Sequence, residues 1–174
     1  MRGESKHQIL LIQITKRADG SGILRCVRPN GSVTWQKQDG KYAGFFALRD
    51  LTHFAVESIL GYRQGFFGLI VEGWDISDTT GKGSRGPLPP EALEVETLVG
   101  LLDQERGSSA LWTIDEFNDA AALQASSVSR PMPRKLFLEE LTQVKAKRAE
   151  LFSKWFALLH GGVMELRFDS VVRN

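Results

Sequence analysis

The pattern of apolar and polar positions changes period along this chain, short at both ends and long in the middle. From Gln8 to Lys16 it reads QILLIQITK, an apolar run rich in β-branched residues that predicts a strand. Asp19-Gly20 supplies the positive φ that a tight hairpin needs. Ile23 to Arg28 then alternates, with Ile23, Arg25 and Val27 on one side and Leu24 and Cys26 on the other. Pro29-Asn30-Gly31 signals a second hairpin leading into Ser32 to Lys37, where Val33 and Trp35 share a face. Three strands joined by two tight turns make an antiparallel meander.

Beyond Asp39-Gly40 the period lengthens. Gly44 to Leu48 reads as a short fourth strand or an extended lead-in to a helix. Asp50 reads as the N-cap of a helix over Leu51 to Leu60, which Gly61 terminates. Gly65 to Trp74 is apolar, but Gly68 would weaken a strand, so a short buried helix is favoured, forming an αα-hairpin that turns at Gly61 to Gly65. Ser77 to Pro90 is a loop. Pro90 opens a helix in which Ala92, Val95, Leu98, Val99 and Leu102 recur at helical spacing as far as Gly107.

Thr113 to Glu116 spells a capping box for a helix to about Ala125, with Phe117, Ala120 and Ala121 inward. The longest predicted helix runs from Arg134 to His160, with a seam of Leu138, Leu141, Val144, Leu151, Trp155 and Leu158. Val163 to Asp169 alternates again, with Met164, Leu166 and Phe168 on one face, and reads as a strand joining the meander. The expected fold is α+β: a small antiparallel β-meander plus a C-terminal strand, covered by about five α-helices. Residues 1–174 are expected to form a single globular domain.

Charge narrows the partners. The 22 basic and 21 acidic side chains leave a net charge of +1, so no long-range field attracts a polyanion and nucleic acid is not an expected partner. No apolar run approaches the ~18 residues of a membrane span and the N-terminus lacks a signal-like core, so a cytoplasmic protein without a membrane partner is expected. Cys26 is the only cysteine, which excludes an internal disulfide and a cysteine-rich zinc site and suits a small buried hydrophobe. The four Trp and the Phe residues read as core.

Phe45 to Asp78 is the most apolar stretch of the chain, and it carries the candidate chemistry. With Asp50 at zero and about 100° per residue, His53 falls at about 300° and Glu57 at about 340°, so the three share one narrow stripe on an otherwise apolar helix. His53 and Glu57 are the candidate catalytic pair, a His–carboxylate couple suited to general base work. Asp50, His53, Glu57 and Glu72 are the candidate ligands for a divalent metal, with Asp75 or Asp78 as alternative acids. A small molecule is the other candidate occupant. The ordinary alternative is a satisfied i,i+4 His–Glu pair with Asp50 as a cap.

Thr79-Thr80-Gly81-Lys82-Gly83-Ser84 does not fit a P-loop, because Ile76 stands where the first Gly belongs and Gly83 follows the Lys. Lys82 and Arg85 remain candidate ligand-binding residues, able to hold an anion with the loop as a lid over the stripe. The string Asp50-Leu-Thr-His53-Phe-Ala-Val-Glu57, followed by Gly65 to Gly73, resembles a segment of uncharacterised bacterial proteins of unknown function. That resemblance implies no activity. Two functional classes follow: a metal-assisted or His-dependent hydrolase, or at least a small-ligand protein, and a non-catalytic interaction module. In the second, a homo-oligomer would assemble through the 134–160 helix.

Overall fold

Alternation in the first and last segments builds one four-stranded antiparallel sheet, seen in a computed structural model that describes residues 6–108 and 111–172. Its strands are β1 (Lys6–Lys16), β2 (Gly22–Val27), β3 (Val33–Lys37) and β4 (Val163–Val172), in the order β3-β2-β1-β4. Ile12 lies opposite Cys26 on one side and Leu166 on the other, and Leu10 lies opposite Phe168. Leu10, Ile12, Ile14, Leu24, Cys26, Met164 and Phe168 are all buried, so the odd-even alternation gives the sheet a single covered face.

The other face is open. Trp35, expected in the core, is 63% exposed there, opposite Arg25. Thr34 faces inward instead, and its hydroxyl accepts the Ile76 N–H at 3.1 Å.

Helix α1 (Ala43–Leu60) starts well before the expected N-cap. Ala47, Leu48, Leu51 and Phe54 recur at helical spacing and all enter the core cluster on the sheet, which carries the helix straight through Asp50. Asp50 therefore sits mid-helix and caps nothing. Gly61, in the left-handed conformation, ends the helix as expected. On its opposite side α1 gives Ala55 and Val56 to a second cluster, shared with Val95, Leu98, Val99 and Leu102 of α3 (Pro90–Gly107) and Phe117 of α4 (Ile114–Ser127). Apolar groups thus cover α1 from both sides, which is why its polar stripe does not face open water.

The short helix α2 (Phe66–Val71) forms the predicted αα-hairpin with α1. Its C-terminal end is tied to the sheet by the buried Arg28, whose guanidinium donates to the carbonyls of Ile70 (2.7 Å) and Trp74 (2.6 Å) and to Asp75 (3.0 Å). A 3-10 turn at Ile76–Thr80 follows, starting one residue before the predicted loop. Helix α5 (Leu138–Ala157) begins four residues later than expected, because the Glu140 carboxylate accepts the Phe137 N–H at 2.9 Å and makes Phe137 the cap. Leu138, expected in the seam, is 63% exposed, whereas Leu141, Val144, Leu151 and Trp155 are buried as expected. No described helix is long and apolar enough to cross a membrane.

Candidate functional site

Helical spacing on α1 places Asp50, His53 and Glu57 along one side, and all three are buried. Glu57, 1% exposed, is held where α2 begins. Its Oε1 accepts the N–H groups of Phe67 (3.0 Å) and Gly68 (3.2 Å), and its Oε2 lies 3.3 Å from His53 Nδ1. This requires α2 to start almost on top of the carboxylate. A Cβ at Gly65 would strike the Glu57 carboxyl, and one at Gly68 would strike the backbone carbonyl of Arg63.

The second ring nitrogen is also taken. His53 Nε2 lies 3.1 Å from Glu96 Oε1 on α3. The other Glu96 oxygen accepts Arg49 Nη2 at 2.5 Å, and Arg49 Nη1 reaches Asp103 at 3.0 Å. With both carboxyl groups ionised, the two contacts are both hydrogen bonds when both ring nitrogens carry protons. Burial alone would lower the His53 pKa, but the bonds to Glu57 and Glu96 and their charges outweigh it and push the ring up to about 9. Burial alone would raise Glu96, yet His53 and Arg49 hold it down to about 2. Burial pushes the Glu57 carboxyl up, opposed by His53 and the α2 N–H groups. His53 is buried between two carboxyl groups whose contacts favour its protonated form.

That geometry revises the expected site. Both ring nitrogens of His53 and both oxygens of Glu57 are engaged, and these contacts join α1, α2 and α3. The four expected metal ligands are not brought together. Asp50 turns to Gln38, and Glu72 is exposed and accepts the Gln64 side-chain amide at 3.2 Å. Asp75 and Asp78 cap the 3-10 turn, where the Asp75 N–H donates to Asp78 at 3.1 Å. Among the described residues no group of three or more His, Cys, Asp or Glu side chains could hold a metal ion.

Asp50 opens onto a different space. A cleft of about 330 Å³ lies between the β3 end of the sheet and α1, and its walls include Lys37, Asp39, Phe46, Asp50, Phe66 and Thr80. Asp50 Oδ2 accepts the Gln38 side-chain amide at 2.5 Å. Gln38 is itself fixed, since its N–H donates to the Gly22 carbonyl at 3.0 Å and its Oε1 fills the space a Gly22 side chain would need. Burial pushes the Asp50 carboxyl up to about 7, against the pull of the His53 charge, Gln38 and Arg49. A carboxyl of raised pKa thus lines the cleft.

The predicted lid contributes less than expected. Thr80 borders the cleft, but Lys82 and Arg85 do not line it. Arg85 donates to the Gly73 carbonyl at 2.9 Å and lies over the Trp74 ring, bracing the loop, and Lys82 stands clear of the cleft. A slightly larger hollow of about 350 Å³ lies near Arg28, Asn30 and Gly73, where the guanidinium is already engaged by carbonyls. Cys26 is buried as expected, and burial pushes its thiol up to about 12, an unreactive state.

The sequence reading missed Glu96, Arg49 and Gln38. A signal did exist for the first, because Glu96 and Asp103 stand two turns apart on α3 with Gly100 between them. That acid-small-acid stripe suits a basic partner. Comparison with known protein families, with curated proteins and with solved structures finds no match.

Proposed function

We propose that this chain binds a small planar organic cation, or a ring presenting paired N–H donors, in the cleft between β3 and α1, with Asp50 as the anchoring acceptor. The observation that carries this reading is a buried carboxyl on the floor of an open cleft, flanked by Phe46 and Phe66. A carboxylate accepts two N–H groups side by side. Phenyl rings attract the face of a planar cation. Keeping an acid buried costs folding stability, and such groups concentrate at functional sites.

The clamp around His53 serves this site indirectly. By fixing α1 against α2 and α3 it holds the Asp50 backbone in place, so the acceptor is oriented before a ligand arrives. A ligand cation displaces the proton that Asp50 carries near neutrality and replaces water in the cleft. Base catalysis by His53 is not part of the reading, because both ring nitrogens are engaged.

Benzamidinium is the matching probe, a planar cation joined to a phenyl ring. Titrated into the protein, it should move the amide NMR signals of Gln38, Phe46 and Asp50, and D50N should weaken the effect at least tenfold. Shifts scattered over the surface, or equal in D50N, would overturn the proposal.

A further inference from the structure

The two edges of the sheet are finished differently. At the β3 edge the 3-10 turn packs alongside, and the Ile76 N–H bonds Thr34. At the other edge β4 pairs with β1 from Lys6–Val172 to Thr15–Val163. Among the described residues no hydrogen bond from another element reaches the outer side of β4. The Lys16 N–H to Gly162 carbonyl bond (2.9 Å) sets the register, so even-numbered residues of β4 bond β1. Val163, Glu165, Arg167 and Asp169 therefore turn their N–H and C=O groups outward. Exposed edges are usually blunted by charged side chains, most often Lys, by Pro, by a bulge or by a covering element, whereas the charges along β4 alternate in sign at Glu165, Arg167 and Asp169 and can complement a second strand. β4 has neither Lys nor Pro.

We propose that β4 pairs with β4 of a second copy, antiparallel about a two-fold axis at Leu166, joining the two sheets into one. Charge selects both the partner and the register. With the axis at Leu166, Glu165 lies opposite Arg167 of the partner subunit, and the reciprocal pair follows by symmetry. Moving the axis to Arg167 sets Arg167 against itself and Glu165 against Asp169, and like charges directly opposite are destabilising. Moving it to Phe168 needs Asp169 for Arg167, but Asp169 is already held by His7 at 3.0 Å. Glu165 gives one oxygen to Gln13 (3.1 Å) and keeps the other for the partner. The pairing also covers Leu166, half-buried at the rim of the core. Assembly thus moves from α5, whose seam packs on the body of its own chain, to β4.

Sedimentation equilibrium of the full chain across the micromolar range tests this. A reversible dimer is expected. R167E faces acid with acid at two cross-strand positions and should weaken the dimer on the order of tenfold. The double variant E165R/R167E restores complementarity and should restore the dimer. Both residues lie on the open face of the sheet, so the fold tolerates the exchange. A monomer at every concentration, or a dimer indifferent to R167E, or one the double variant fails to restore, would overturn the proposal.

Discussion

Glu96 reaches from α3 to within 3.1 Å of His53 Nε2, while Glu57 approaches Nδ1 at 3.3 Å. The contact with Glu96 joins the α1 stripe to an ion network with α3 and engages the second ring nitrogen of His53. It also separates His53 from Asp50, three residues away on the same helix, whose carboxyl opens to the cleft.

The network makes stability depend on pH. The folded pKa of His53, about 9, exceeds its ordinary 6.5, so its contribution is fully present below 6.5 and is lost as pH rises through 9. E96Q should lower the NMR titration midpoint of the His53 ring and destabilise the fold by roughly 3 kcal/mol at neutral pH in urea unfolding. An unchanged midpoint would mean that Glu96 does not hold the imidazolium.

Asp50 adds to the same trend at lower pH. Its folded pKa of about 7 exceeds the ordinary 3.8, so the folded state holds the proton more tightly and stability falls as pH rises between those values. D50N keeps an acceptor for Gln38 and removes the buried charge. It should stabilise the fold by ~2–4 kcal/mol at about pH 8, with the gain vanishing towards pH 4. Denaturant midpoints at the two pH values read this directly, and a D50N variant less stable at both would contradict it.

Close approach at α2 predicts a contrast between two glycines. G68A drives a methyl into the Arg63 carbonyl, backbone that cannot swing aside, and should cost roughly 3 kcal/mol. G100A sits mid-helix, where an added methyl would meet nothing within 4 Å. It should instead stabilise by about 0.5–1 kcal/mol. Thermal unfolding of the pair checks both signs.

The sheet, its two hairpins and all five helices were legible because period, turn residues and caps are local signals. Local signals also misled. Asp50 looks like an N-cap when read alone, but Ala47 and Leu48 have a core to enter and draw the helix past it. Alternation on β3 correctly puts Thr34 and Trp35 on opposite faces, yet it cannot say which face the helices cover, and Trp35 lies on the open one. The Asp50–His53–Glu57 stripe emerged from helical arithmetic. Its meaning depended on Glu96, which only the packing of α3 on α1 brings close. Gln38 carries no charge and gave no signal, although it orients the acid that lines the cleft.

The central claim is that Asp50 anchors a cationic ligand, and calorimetric titration of benzamidinium between about pH 6 and pH 8 tests it most directly. Because the carboxyl must lose its proton to bind the cation, affinity should strengthen with pH and level off above about 7, with proton uptake by buffer at the acid end. D50N should bind at least tenfold more weakly and without that pH dependence. Affinity that is flat across the range, or equal in D50N, would contradict the account.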